Sequence, residues 1–332
     1  MPAGFPSRRD PADPESRRAG SQLRSRLRPG ARPRGAPAHQ PEHVPRVRGL
    51  QRGAGARGCG VTLAPSIRAL GCLSARERRA GGSHERPPHT DVVLSLARPG
   101  SRGDRSRRAT RECLLALAAV DAMLEDAGAK PAAIAGPRTA LIYATAAGYA
   151  PSNRHFIEGG GSIHFAYTAP AVVPAEVAIE FGVTGPYAIF LGGPPATLRA
   201  IWQAAILLEQ GMCDRALVLA VEIFEECADL CARARRLTRW PLVEVAASAW
   251  LERGQGQLSF ESTRGAPSAR QRGEAVGASW SCDPLVALDR WRRAHASDPL
   301  ELRGSWLGEQ ARLVWSEAPA IAGAAVDAAE GV

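Results

Sequence analysis

The chain has 332 residues, 45% of them hydrophobic, enough for a sizeable core in one large domain or two ordinary ones. Its formal charge of +9 is uneven: 24 arginines face 9 acidic residues up to Glu112, and the remainder is net acidic. The basic third has Phe5 as its sole aromatic residue, which argues against a base-stacking nucleic-acid module, and the preference for arginine, with Lys130 the only lysine, fits a GC-rich coding bias.

Residues 1 to about 90 hold 12 of the 26 prolines among Arg, Gly and Ser, with one apolar patch at Gly60 to Leu73. Such a composition cannot bury enough surface to offset chain entropy, so 1–108 is expected to be disordered or loosely structured. The prolines at 2, 6, 11, 14, 29 and 33 would break the amphipathic helix of a transit peptide; a mis-called or frame-shifted start is the other reading. Order is expected from Thr110. Cys113 to Ala127 reads as an amphipathic helix ended by Gly128, and Arg138 to Thr145 as a short strand with a turn at Gly148. A loop then leads to a helix over Pro174 to Phe181, with Gly182 at its end.

Val183 to Leu191 is an apolar run, Gly192-Gly193-Pro194-Pro195 a sharp corner, and Ala196 to Gln210 a buried helix ended by Gly211. Arg215 to Val221 is a second buried strand. Trp240 to Glu252 reads as another strand, Pro284 to Trp291 and Leu302 to Trp315 as two further ordered stretches, and no internal repeat is visible.

The order of elements over Thr184 to Glu222, opening on Thr184-Gly185-Pro186, resembles the centre of beta-ketoacyl synthases of the thiolase fold. In those proteins a TGP turn leads through a strand to an alanine-cysteine elbow and a long helix. Glu125-Asp126-Ala127-Gly128 resembles the family's helix-closing signature, and Trp240 to Glu252 its Arg-Pro turn and closing strand. The resemblance covers Thr110 to about Glu261. It implies an α/β fold, a thiolase-like layered α/β/α arrangement of which the chain supplies mainly the N-terminal half. The expected divisions are 1–108, the Arg/Pro-rich start; 109–262, the synthase-like domain; and 263–332, a short, partly ordered extension.

In the family the elbow cysteine carries the acyl group at a helix N-terminus, whose dipole stabilises the thiolate. The matching position here is Pro194, or Gly193 if the elbow is shifted by one residue, and neither can be acylated. The family's two histidines, which polarise the malonyl carboxylate and the thioester carbonyl, come from its C-terminal half. Beyond His164 this chain has only His295, in surroundings that match neither motif.

Substitute chemistry is not evident in the sequence. Cys213 follows the helix and stands at its wrong end; Thr197 is the first hydroxyl within the helix but has no base nearby in sequence. Cys227 and Cys231, four apart, would share a helical face as half of a metal site without a second half. Gly159-Gly160-Gly161 lacks the strand and Lys of a phosphate cradle, and His155 and His164, which flank it, read as surface histidines. Arg233-Ala234-Arg235-Arg236 reads as a solvated face, although it would suit an acidic acyl carrier protein.

Seven scattered cysteines (Cys59, Cys72, Cys113, Cys213, Cys227, Cys231 and Cys282), no signal peptide and no apolar run of ~18 residues lead to the expectation of a cytoplasmic protein without a membrane span, cofactor or metal. The resemblance implies a degenerate ketosynthase-like partner subunit of fatty-acid or polyketide assembly, without condensing chemistry. It is similar to chain-length factors in lacking the cysteine, and departs from them in its proline, where they often carry glutamine, and in its short second half. Its expected partners are an acyl carrier protein and a cysteine-bearing ketosynthase, in a hetero- or homodimer formed through the edge after Pro186. The alternatives are an active acyltransferase or ketosynthase of reduced size, with Gly192 and Gly193 binding the thioester carbonyl, and a non-functional remnant.

Overall fold

Leu63–Ser74 forms β1, a 12-residue strand that pairs antiparallel with β7 (Val245–Arg264), Gly71 opposite Ser248 and Ser74 opposite Val245. The computed structural model describes residues 63–76, 93–100, 102–103, 109–233, 241–265, 278–294 and 298–316, all within the unit Gly53–Val332. The expectation of disorder through residue 108 therefore needs correction: Leu63, Ile67, Ala69 and Leu70 are buried in the core. The rest of that expectation falls largely outside the described residues. Helix α1 (Arg111–Ala127) lies directly on β1. A methyl group at Gly71 would stand 2.2 Å from the carbonyl oxygen of Ala119, so only glycine allows this approach. Beside it, the Ser248 hydroxyl donates to the same carbonyl at 2.8 Å.

The main sheet runs β4 (Tyr187–Leu191), β3 (Thr139–Thr145), β5 (Arg215–Glu222), β7, β9 (Glu309–Ser316), β8 (Leu300–Trp306). Leu258 pairs with both Leu63 and Trp315. Hence β5 and β9 follow one another along one edge of β7, and β1 takes the other. The pairs β3–β4 and β3–β5 are parallel and β5–β7 antiparallel, so β1, β3, β4 and β5 all end on the same side of the sheet. A short parallel pair, β2 (Val93–Leu94) with β6 (Leu242–Val243), stands apart.

Between β3 and β4 run α2 (Ala150–Ile157) and α3 (Val172–Phe181); α4 (Pro194–Glu209) joins β4 to β5. Because β4 and β5 flank β3, right-handed crossovers place α3 and α4 on opposite faces, and α1, which packs on α3, shares its face. This is the layered α/β/α thiolase-like arrangement. Left-handed glycines close α1 (Gly128, φ 61°) and α3 (Gly182, φ 67°), where the sequence placed those helix ends. After β5 come α5 (Ala228–Arg233) and, beyond β7, α6 (Asp283–Arg293).

The boundary expected at 262/263 falls inside β7. Ser262 pairs with Ala311 and Arg264 with Glu309, and α6 packs on β8, β1 and β7. The C-terminal residues up to 316 are thus built into the sheet and are no appendage. Among the described residues no helix is long and apolar enough to cross a membrane.

Candidate functional site

The corner between β4 and α4 forms because Gly192 takes φ +145°, a backbone state that side chains disfavour, and Pro194 enters at the first helical position. Gly193 is the N-cap residue and contributes no side-chain cap. Pro194 and Pro195 are buried, and neither has an N–H. Two donors that a helix N-terminus would offer to a developing oxyanion are therefore absent.

The space in front of the corner is filled from within the chain. A methyl group at Gly193 would lie 2.3 Å from Cε3 of Trp306, and one at Gly304 would lie 2.7 Å from Cβ of Pro194 and 2.9 Å from the nitrogen of Pro195. Trp306 in turn meets Trp280 with ring centroids 5.3 Å apart, and Trp280 meets Phe224 edge-on at 4.8 Å. Sequence reasoning missed this seal, since its parts come from β5's exit, the turn before α6 and β8.

Beneath the corner lies a buried polar chain. Thr197, fully buried, donates its hydroxyl to the Ser281 carbonyl at 2.5 Å, and the Ser281 hydroxyl donates to Oε1 of Glu222 at 2.5 Å. Glu222 also accepts the N–H groups of Ala146 (2.5 Å) and Ala147 (3.0 Å). Burial pushes its carboxyl up to about 7, and these hydrogen bonds only partly offset that. Thr197 is thus a buried hydrogen-bonder whose partner is 84 residues away. A carboxylate ending an otherwise apolar strand was the one local sign of Glu222.

A second polar cluster stands at the N-terminus of α1. Arg111 donates to Glu226 (2.5 and 2.7 Å), Glu244 (2.6 and 2.7 Å) and the Leu96 carbonyl (2.8 Å). Glu244, fully buried, also accepts the N–H groups of Leu96, Phe224 and Glu225. Burial opposes both charges, yet their mutual bonds hold the guanidinium above and the Glu244 carboxyl below their ordinary values. A cavity of about 800 Å³ opens beside this cluster, lined among others by Arg98, Glu112, Ser152, Arg154, His155 and His164. Ser152 donates to Glu112 at 2.5 Å, and burial raises the Glu112 carboxyl.

The remaining candidates do not converge on the corner. His155 and His164 meet edge-on at 4.6 Å across the Gly159–Gly161 loop. Cys213 is buried beyond the far end of α4, and Cys227 is buried while Cys231 is half-buried; burial raises all three thiols above their ordinary range, away from the reactive thiolate. No group of three metal-ligating side chains occurs among the described residues. Arg233 is exposed at the end of α5; Ala234–Arg236, His295 and Cys59 lie outside the described residues.

Residues 99–239 match the family model "Beta-ketoacyl synthase, N-terminal domain". No curated protein sequence matches the chain. Among solved structures, the chain is similar to one from the complex of a type II polyketide synthase acyl-carrier protein with its ketosynthase (AntDE:AntF). That match has a TM-score of 0.61 and 14% identity, and it covers 77% of this chain and 99% of that one. It is also similar to a beta-ketoacyl synthase from Burkholderia phymatum STM815 (0.58, 14%, covering 77% and 100%) and to the ishigamide ketosynthase/chain length factor (0.56, 15%, covering 76% and 99%). The chain thus has the thiolase-like fold seen in these ketosynthase and chain length factor structures, and its segment 99–239 is similar to the beta-ketoacyl synthase N-terminal domain.

Proposed function

We propose that the chain is a non-condensing, ketosynthase-like subunit of fatty-acid or polyketide assembly that acts by pairing with another subunit. The observation that carries this reading is the β4–α4 corner. Where a condensing enzyme needs a thiol and backbone donors, the chain has Gly193 and Pro194 with Trp306 packed on them. This also weighs against the alternative of a reduced-size acyltransferase. Gly192 and Gly193 would have to receive a thioester carbonyl in space that an indole ring occupies.

The pairing half of the proposal draws on β4. A parallel sheet is normally covered along its length, yet β4 is an edge strand whose Tyr187 and Leu191 are 63% and 58% exposed. Among the described residues no strand pairs with its outer side, and an exposed apolar edge invites another strand. A cysteine-bearing ketosynthase that adds its own strand there, and an acyl carrier protein that serves the pair, are the partners this reading names. Co-expression with such a ketosynthase tests it. A stable complex that is lost on replacing Tyr187 and Leu191 with lysine supports the reading; a monomer in the presence of every ketosynthase encoded alongside it overturns the pairing role.

A further inference from the structure

Trp280 (φ 45°) and Leu307 (φ 46°) are the two non-glycine residues with positive φ among the described residues. Both belong to the seal over the corner: Trp280 packs at a tilt against Trp306, and Leu307 follows Trp306 in the turn between β8 and β9. Backbone held in this state is strained and persists where surrounding packing dictates it. A turn that must be left-handed at two successive positions favours Asn-Gly, whereas here it is Leu307-Gly308, with Leu307 93% exposed. The glycines complete the pattern. Gly193 and Gly304 are each placed where any side chain would strike the opposing surface, Trp306 in one case and Pro194 in the other.

We infer that the β8–β9 hairpin is a built-in plug. Its Trp306, backed by Trp280, occupies the approach to the α4 N-terminus and closes it to acyl thioesters. This inference rests on the ketosynthase-like reading of the corner and adds a steric block to the missing nucleophile. The two are separable, because a corner without a thiol condenses nothing whether it is open or shut.

Access to the corner tests the plug. A cysteine is introduced in the full chain by Pro194→Cys, and its alkylation by iodoacetamide is followed by peptide mass spectrometry, with native Cys231 and Cys213 as half-buried and buried references. With Trp306 in place the new thiol should react at least about tenfold more slowly than Cys231, since reaction waits on local opening. Adding Trp306→Ala should speed it by at least about tenfold while Cys213 stays protected. If Trp306→Ala also exposes Cys213, Trp306→Leu replaces it, with the same selective gain required. If Pro194→Cys does not fold, Ala196→Cys, two residues along the same helix start, gives the same readout. Alkylation of the new thiol at the rate of Cys231 with Trp306 present overturns the plug, as does a tryptophan removal that leaves the rate unchanged.

Discussion

A methyl group on Gly304 would stand 2.7 Å from Cβ of Pro194, so the β8 backbone and the elbow proline meet with no room for a side chain between them. Gly304→Ala is therefore expected to destabilise the protein by about 1–3 kcal/mol through overpacking. Gly265→Ala, where nothing lies within 4 Å, should fall within about 0.5 kcal/mol of the parent. Urea unfolding midpoints measure both.

Gly71→Ala tests the docking of β1. The added methyl would lie 2.2 Å from the Ala119 carbonyl oxygen and 2.5 Å from the Met123 nitrogen, both backbone atoms in α1 that cannot step aside cheaply. A loss of about 1–3 kcal/mol or more is expected, again from urea midpoints.

Glu222 gives the fold a pH dependence with a defined sign. Its carboxyl titrates near 7 when folded against an ordinary 4.5, so between those values the unfolded chain releases a proton that the folded chain keeps. Stability from this group should fall by about 3 kcal/mol as pH rises from about 4.5 to 7, then level off. Burial raises Asp283 to about 6 and adds a fall of the same sign. The depressed carboxyl of Glu244 acts oppositely and at lower pH, where protonation would remove its bonds with Arg111. Glu222→Gln should flatten the profile between pH 5 and 7 while losing about 1 kcal/mol for a mismatched N–H contact.

Arg111→Ala would leave Glu244 buried and charged without its guanidinium. A loss of about 3–5 kcal/mol is expected, larger than for Arg138→Ala, whose ion pair with Asp214 is exposed. Thermal and urea unfolding of the two variants give the comparison.

The central helices and strands were legible because they obey local rules. Left-handed glycines end α1 and α3, and Gly192 with Pro194 turns β4 into α4. The Gly193-Pro194 pair at that corner is also plain in the sequence. It hid β1, because Pro65, Arg68 and Gly71 dilute the apolar pattern and the strand exists through pairing with β7, far along the chain. It hid the seal for the same reason: Trp306 meets a glycine more than a hundred residues earlier, and no local spacing encodes that contact. Glu222, Ser281 and the Arg111–Glu244 pair likewise acquire their meaning only when distant segments meet.

Whether the corner supports condensation is read by incubating the purified chain with radiolabelled acyl-carrier thioesters and measuring protein-bound label and condensed product. Neither is expected, from the parent or from the Pro194→Cys chain, which has a thiol at the elbow but no histidine pair in the sequence to serve it. A chain without condensing chemistry gives that result. Stable acyl label on the parent chain, or condensed product from either chain alone, would contradict the non-condensing reading.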